Sequence, residues 1–410
     1  MILRYSAKSE VMKNIYLFPL IFIFTVNLFA QDFRQKINNI VENRDYLTAV
    51  NELRSLEKSD KKTFEHNNYD YLLARMAEKR GDMALAMAKY QSVAKRNSVL
   101  KEYALWHLSQ ISRSSGNLNS ERTFLRQILT TSPNSLLKNA ANARLSRSFF
   151  ESQDYNSAIQ LLTAQTVTNQ TPNTPSVTPT PQPNDAKNRE RLVLLGQAYL
   201  QSGKTNEARE VFTNLVKNLP NPTQPDDFAL EGAKGLDEME VGKQDFGKIA
   251  PQIADTEHYR RALIYQFNRS FALARLHYSA IIERFPGSTH TPDALYQLGR
   301  GHILELNYNE SIKWFERVQS EFPDNPISEP ALSQAASAYS RINKPKEALL
   351  RYQKFIEKHP DSENLERAYF NIVDIERDLG ENTDALKWAN KIRESFKGEL
   401  AEALALFVQI

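Results

Sequence analysis

Few residues in this sequence are placed to do chemistry. The chain has no cysteine, so it can form neither a disulfide nor a thiolate metal site, and it lacks a cysteine nucleophile. No serine lies in a Gly-x-Ser-x-Gly turn, and the Gly299-Arg300-Gly301 fragment follows no predicted strand, which argues against a nucleophile elbow and against dinucleotide binding. The sequence therefore predicts no catalytic residue, no cofactor and no enzymatic activity.

The histidines form no metal-binding pattern. They are spread along the chain without a His-Glu-x-x-His motif and without carboxylates at ligand spacing, so we expect no metal site. The seven are His66, His107, His258, His277, His290, His302 and His359.

Aromatic side chains recur at one place in the sequence pattern and are the best candidates for ligand contact. A row of rings can stack against sugars or hold an extended peptide. Polar side chains recur on the same predicted face and are typical of a solvated surface. The aromatic candidates are Tyr71, Trp106, Tyr259, Tyr296 and Phe370, and the polar ones are Arg75, Arg300, Ser333, Ser337, Asp374 and Arg377.

These candidates lie in a repeat of 37 residues. Pro286, Pro323 and Pro360 are 37 residues apart, and units begin near 255, 292, 329 and 366. Fixed periods of this length indicate stacked repeats. Within each unit the apolar residues are spaced i, i+3, i+4 and i+7, with a break after the fifteenth residue, which predicts a hairpin of two amphipathic helices.

One unit carries a known signature, a Leu-Gly pair followed by Tyr, Gly, Ala, Phe and Pro at fixed spacing. The residues are Leu195, Gly196, Tyr199, Gly203, Ala208, Phe212 and Pro220. The array resembles tetratricopeptide-repeat proteins over most of residues 30–410, and the resemblance implies an all-α fold, a right-handed superhelix of about nine to ten helical hairpins. Small residues let the two helices approach, and proline ends the second. A lone hairpin buries too little apolar surface, so the units must stack.

The resemblance leaves two interpretations of the aromatic row open. In tetratricopeptide arrays the first helix lines the concave face, where the aromatic residues would contact a ligand. The run from Ala294 to Gly299, which includes Tyr296, is also similar to exported arrays of outer-membrane assembly and envelope-coordination proteins. There the aromatic residue packs against the adjacent repeat.

Further units fit near 30, 67, 102 and 139, although Glu121 replaces the expected alanine in the third. A segment with five prolines then interrupts the array and cannot pack a core. A degenerate unit near 226 has too few residues for a full second helix. The predicted divisions are a signal peptide at 1–30, N-terminal repeats at 31–163, a flexible linker at 164–187, one repeat plus the degenerate unit at 188–254, and C-terminal repeats at 255–410.

The first residues predict export. Lys13 precedes a run of 16 apolar-rich residues, Ile15–Ala30, which is interrupted by Pro19. A membrane span needs about 20 apolar residues, so the pattern favours a Sec-type signal peptide cleaved near Ala30, with either Met1 or Met12 as the start. Gln31 stands where a lipoprotein needs cysteine. We therefore expect a periplasmic protein that is not a lipoprotein and has no stable membrane span after cleavage.

Charge and the last residues bear on partners. The net charge of +3 is too small to imply nucleic-acid binding. The sequence ends within an apolar stretch, and the expected second helix that would cover it is missing. We therefore expect a partner or a further domain on that end. The apolar residues are Leu404, Leu406, Phe407 and Ile410.

These observations predict a non-enzymatic scaffold of the cell envelope that binds a protein, an extended peptide or a glycan such as peptidoglycan in its groove. The C-terminal units also look similar to the superhelical region of soluble lytic transglycosylases, which embraces murein strands. No residue here matches that family's catalytic motif, so such an activity would lie beyond Ile410. Outer-membrane protein assembly is a third possibility, implied by repeat style alone.

Overall fold

The structure is a computed structural model that describes residues 33–131, 135–167 and 186–398, together with Ala401 and Ala405. The predicted signal peptide, most of the predicted linker and the four apolar residues at the predicted open end lie outside these residues. Every regular element in the described part of the chain is a helix, as the repeat pattern predicted. The chain divides into two compact units, residues 1–170 and 171–410, which are described separately.

The first unit contains nine described helices. They are α1 (33–42), α2 (Tyr46–Ser59), α3 (Lys61–His66), α4 (Tyr69–Arg80), α5 (Met83–Lys95), α6 (Lys101–Ser114), α7 (Leu118–Thr131), α8 (Lys138–Glu151) and α9 (Tyr155–Val167). Apart from the short α3, they form four hairpins, each packed on the next.

The second unit contains eleven described helices. They are α10 (Ala186–Gln201), α11 (Thr205–Lys217), α12 (Asp227–Val241), α13 (Asp255–Phe267), α14 (Phe271–Arg284), α15 (Thr291–Leu304), α16 (Tyr308–Glu321), α17 (Ser328–Arg341), α18 (Pro345–Lys358), α19 (Leu365–Asp378) and α20 (Asn382–Ser395). Five hairpins and the single helix α12 result. Together the units hold nine described hairpins, which confirms the predicted all-α repeat fold.

Each of the nine hairpins turns at a residue with positive φ, the fifteenth of its repeat. A left-handed residue after a helix lets its own backbone N–H and that of the following residue donate to the last carbonyl oxygens of the helix. In α15, for example, Leu306 donates to Ile303 at 2.9 Å and Asn307 donates to His302 at 2.8 Å. Four of the nine are glycines. The turn residues are Arg44, Gly81, Gly116, Gln153, Gly203, Arg269, Leu306, Asn343 and Gly380.

The Leu-Gly signature has a packing role. A Cβ atom on Gly299 would lie only 2.5 Å from a ring carbon of Phe315 on the second helix of the same repeat. Phe212 is enclosed in the same way by Gly196 of its own repeat and by Gly235 of α12. Glycine at these positions therefore lets an aromatic ring fill the space between helices.

The degenerate unit is the single helix α12. It packs on α10 and α11 as the first helix of a next repeat would, and it has no second helix of its own. The chain instead runs through turns to α13. Arg284 holds this connection by donating to the carbonyl oxygens of Pro251 and Ala250, at 2.8 and 3.2 Å. None of the helices in the described ranges has the length and apolar character needed to cross a membrane.

Candidate functional site

The predicted candidates all lie on first helices of their repeats, and we call them the first-helix row. Tyr71 and Arg75 are on α4 and Trp106 is on α6, in the first unit. The remaining members are in the second unit, on α13, α15, α17 and α19. They are Tyr259, Tyr296, Arg300, Ser333, Ser337, Phe370, Asp374 and Arg377.

The aromatic members are half-buried, and three of them pack against the second helix of their own repeat. Three make a ring contact with the residue four places after the repeat's small residue. The ring centroids of Tyr71 and Tyr90 are 5.6 Å apart, those of Tyr259 and Tyr278 6.4 Å, and those of Tyr296 and Phe315 5.7 Å. Trp106 and Phe370 are likewise half-buried against the core. Each ring therefore has a packing role and also retains an accessible part.

In the first unit the polar candidate Arg75 belongs to a closed cluster. Its guanidinium is 3.0 Å from the Glu78 carboxylate, which also accepts a 2.6 Å hydrogen bond from the Tyr90 hydroxyl. The Tyr90 ring stacks on His107 with the ring centroids 4.9 Å apart. Burial lowers the pKa of His107, although the Glu78 charge opposes this effect. Each polar group of this cluster thus has a partner within it.

In the second unit the polar candidates lie in separate contacts. The central guanidinium carbon of Arg300 is 5.9 Å from the Tyr296 ring centroid. Asp374 and Arg377 form a 3.1 Å ion pair on the exposed side of α19. Ser337 is half-buried on α17. Ser333, on the same helix as Ser337, is half-buried.

A buried polar cluster between α12, α13 and α14 was not predicted. The Asp237 carboxylate accepts from Arg261 at 2.6 Å, from Tyr265 at 2.5 Å and from His277 Nε2 at 2.9 Å. Nδ1 of His277 lies 2.8 Å from Nδ1 of His258. All five side chains are almost inaccessible to solvent. These two histidines are 19 residues apart in the sequence, and the packing of α13 against α14 brings them together.

The carboxylate sets the donor in this cluster. Because a carboxylate only accepts, His277 donates through Nε2 to Asp237, and its Nδ1 faces Nδ1 of His258. Burial, reinforced by the neighbouring His277, lowers the pKa of His258 to about 3. Burial raises the pKa of Asp237, but the hydrogen bond from His277 and the Arg261 charge outweigh it and lower that pKa. The cluster therefore holds a buried ion pair that its hydrogen bonds largely satisfy.

The sequence contains a signal for this cluster, which is visible when its residues are aligned with those of the next repeat. Arg261 occupies the position of Leu298 in the next repeat, and His258 occupies that of Leu295. Leu295 and Leu298 are both core residues. Charged or polar residues at two core positions, beside a unit that lacks its second helix, indicate a buried polar contact at that junction.

Glu121 forms a second buried ion pair where the repeat normally has alanine. Its side chain is 1% exposed, and it accepts from Arg144 at 2.5 Å and from Ser148 at 2.7 Å. The following repeat thus supplies the partners that the substitution requires. Within the described ranges no group of three or more histidine and acidic residues could hold a metal ion.

Two comparisons identify the repeats. The fold and the packed hairpins define a helical-repeat solenoid. Tetratricopeptide-repeat family models match residues 38–99 and residues 192–222, so the chain is a tetratricopeptide-repeat protein. A third family model, described as an outer membrane lipoprotein and named YfiO, matches residues 288–398.

Solved structures add only distant similarity. The Naa15/Naa10 complex bound to HypK-THB is 14% identical, with a TM-score of 0.35, and the match covers 93% of this chain and 66% of that one. The C-terminal part of a tetratricopeptide repeat-containing protein from Cytophaga hutchinsonii is 15% identical, with a TM-score of 0.37, and the match covers 73% of this chain and 99% of that one. A tetratricopeptide repeat protein from Parabacteroides merdae is 17% identical, with a TM-score of 0.27, and the match covers 75% of this chain and 99% of that one. No curated protein matches the sequence significantly.

Proposed function

We propose that this protein is a scaffold of the cell envelope whose C-terminal repeats bind an extended segment of a partner protein along the first-helix row. The observation that carries the proposal is the regular placement of Tyr259, Tyr296 and Phe370. Each is half-buried at the same position of a first helix. A packed ring that keeps an accessible part loses little conformational entropy on binding, because its rotamer is already fixed.

The polar members of the row support binding of a peptide rather than of an apolar surface. Arg300 makes no ion pair with any described residue, and its nearest hydrogen-bond acceptor is Gln297 Oε1, 3.4 Å away. Extended peptides present carbonyl oxygens and side-chain carboxylates along their length, which a guanidinium can bind. Envelope location is supported by the outer membrane lipoprotein family match and by the apolar run before Ala30.

The test compares two sets of substitutions in the full chain, tagged and purified from its source cells. Replacement of Tyr296, Arg300 and Phe370 by alanine is expected to remove co-purifying proteins while the helical circular dichroism signal is retained. The matched control replaces Leu350 and Leu386, which are 60% and 45% exposed on second helices. The control is expected to keep the partners.

Loss of helical signal in the triple variant would show that these side chains are required for the core, and the proposal would then fail. Equal loss of partners in the control would place binding on another surface. Cell fractionation of the wild-type chain tests location separately, since recovery in the cytosol contradicts an envelope scaffold.

Outer-membrane assembly is the second candidate function, and the family match over 288–398 favours it. It predicts that outer-membrane assembly proteins are among the partners lost in the triple variant. Murein is the alternative ligand expected from the sequence. Sedimentation of the full chain with purified murein sacculi tests it directly, and absence of binding would leave the protein partner as the ligand.

A further inference from the structure

Five of the loops that join one repeat to the next contain the same turn. A serine or asparagine side-chain oxygen accepts a hydrogen bond from the backbone N–H two residues later, at 2.9 to 3.1 Å. The backbone N–H three residues later donates to the carbonyl oxygen of the same serine or asparagine. These two bonds fix the loop and place the residue after the serine or asparagine on its outside. The residues that begin the turns are Ser98, Ser135, Ser288, Asn325 and Ser362.

The outermost residue of this turn differs between the two units. In the first unit it is Val99, between α5 and α6, and Leu136, between α7 and α8, which are 83% and 89% exposed. No other large apolar side chain of the described residues is as exposed. The equivalent residues of the second unit are Thr289, Pro326 and Glu363. The turn therefore forms without an aliphatic residue, and packing gives no reason for Val99 and Leu136.

Val99 and Leu136 are held at the same edge of the first unit. They are 37 residues apart in matching segments, Asn-Ser-Val-Leu-Lys and Asn-Ser-Leu-Leu-Lys. The next residue in each segment, Leu100 or Leu137, packs against the core of this unit and anchors its loop. Since the hairpins stack as repeats, equivalent loops lie along one edge of the stack. Two aliphatic side chains therefore project into solvent from neighbouring loops.

Positive charge accompanies both loops. Lys101 and Lys138 occupy the same repeat position, two residues after Val99 and Leu136, and Lys95 ends α5. None of the three lysines forms an ion pair with a described residue, and within residues 95–102 and 135–138 the only carboxylate is that of Glu102. The second unit has no basic residue at the position of Lys101. The residues there are Thr291, Ser328 and Leu365.

We propose that Val99 and Leu136, here named the aliphatic tips, insert into the surface of a lipid bilayer that contains anionic headgroups. Two side chains on separate loops offer no continuous apolar area of the size that a stable protein interface buries. A bilayer surface accepts single apolar side chains and attracts lysines through the charge of its anionic lipids. No member of the first-helix row belongs to this surface, so the inference goes beyond the proposed function.

The test places a fluorescent label at single positions of the full chain. Because the chain has no cysteine, one introduced cysteine can be labelled uniquely with a polarity-sensitive nitrobenzoxadiazole group. Val99→Cys and Leu136→Cys report the tips, and Thr289→Cys is the matched control in the equivalent turn of the second unit. With vesicles of phosphatidylglycerol and phosphatidylethanolamine, the two tip labels should brighten and shift to shorter wavelengths. The control label should not change, and vesicles of phosphatidylcholine alone should have little effect.

Removal of the lysines tests the role of charge. Lys101→Gln with Lys138→Gln, made in the Leu136→Cys chain, should raise the lipid concentration for half-maximal response about ten- to thirty-fold at low salt. The control pair is Lys313→Gln with Lys387→Gln, which changes the net charge equally on exposed second helices of the second unit. This pair should leave the lipid requirement unchanged. High salt should weaken the response of the unsubstituted lysine chain, because it screens exposed charges.

Several results would refute insertion of the aliphatic tips. One is an unchanged signal from both tip labels on the anionic vesicles. Another is an equal response of the Thr289→Cys label, which would show adsorption without a preferred surface. An equal response on phosphatidylcholine would contradict the anionic headgroup. A protein that co-purifies with the wild-type chain and is lost on Val99→Thr with Leu136→Thr, without any vesicle response, would show that a protein contacts the tips instead.

Discussion

Two repeats, one in each unit, treat the same tyrosine position in opposite ways. In the first unit the Tyr90 hydroxyl is bonded to Glu78, which also pairs with Arg75. In the second unit the Tyr278 hydroxyl is equally buried and has no partner among the described residues. Both rings fill the same space between the helices of a hairpin, so apolar packing does not explain the difference.

The contrast shows that different residues decide whether a side chain is buried and whether its polar atoms find hydrogen-bond partners. A repeat position fixes which side chain is buried, whereas the residues that satisfy its polar atoms come from other positions that vary between repeats. A closed cluster such as that of Tyr90 contributes to stability. The Tyr278 hydroxyl, which has no partner among the described residues, makes no such contribution.

The largest effect is expected where the closed arrangement is most complete, at Asp237. Asp237→Ala leaves the buried Arg261 guanidinium without its 2.6 Å partner and removes the acceptor of Tyr265 and His277. Arg261 keeps ion pairs with Glu240 at 3.0 Å and Glu257 at 3.1 Å, so the loss comes mainly from the orphaned hydrogen-bonding groups of Tyr265 and His277, at about 1 to 3 kcal/mol each. Urea denaturation followed by circular dichroism should show the second unit unfolding at a lower urea concentration.

The matched control is Asp374→Ala, because Asp374 pairs with Arg377 on an exposed surface. Exposed pairs contribute about 0 to 1 kcal/mol, so its midpoint should stay close to that of the wild type. If both substitutions have the same small effect, the Asp237 cluster is not a closed stabilising unit.

The pH dependence of stability offers a second test of the closed cluster. His258 has a pKa of about 3 in the folded protein, against about 6.5 in an unfolded chain. Below pH 6.5 the unfolded state therefore binds a proton that the folded state does not, and stability falls as pH falls until about pH 3. Between pH 7 and pH 5 the loss from this residue is roughly 2 kcal/mol.

His258→Leu provides the control for this titration. Leucine occupies the same position in the following repeats, at Leu295 and Leu332, so the side chain suits the site. The variant should lose the part of the pH dependence that lies between pH 7 and pH 5. An unchanged slope in urea midpoints across that range would mean that His258 titrates normally and is not held neutral by its surroundings.

A smaller effect should separate the two tyrosines themselves. Tyr90→Phe removes a hydrogen bond to a carboxylate and should destabilise the first unit by about 1.5 kcal/mol. Tyr278→Phe removes a hydroxyl that has no partner among the described residues, so it should leave stability unchanged or raise it slightly. Thermal unfolding of both variants is the measurement. Equal destabilisation by the two would show that Tyr278 has a protein partner, and the contrast between the two tyrosines would then be wrong.

The repeat period was enough to predict the hairpins, because the spacing of Pro286, Pro323 and Pro360 reports helix ends and the Leu-Gly pair reports close packing. Both are local rules that a single sequence contains. The polar clusters could not be predicted in the same way. Asp237 and His277 are 40 residues apart and come from different repeats, so their contact depends on how the helices stack. Register alone placed Tyr278 in the core but could not show whether its hydroxyl has a partner.

The smallest expected effect concerns the hairpin turns, where the fifteenth residue of the repeat differs from one repeat to another. Leu306 has φ of 61° and is 72% exposed, and Gly380 occupies the same position with φ of 81°. A left-handed conformation costs a non-glycine residue about 1 to 2 kcal/mol. Glycine avoids this cost, but it loses more conformational entropy on folding, which offsets part of the gain. Leu306→Gly should therefore raise stability by about 0.5 to 1 kcal/mol. Gly380→Leu should lower stability by a similar amount, because a Cβ atom there meets no neighbour. Thermal midpoints of both variants measure this, and destabilisation by Leu306→Gly would mean that the leucine side chain contributes more than its backbone costs.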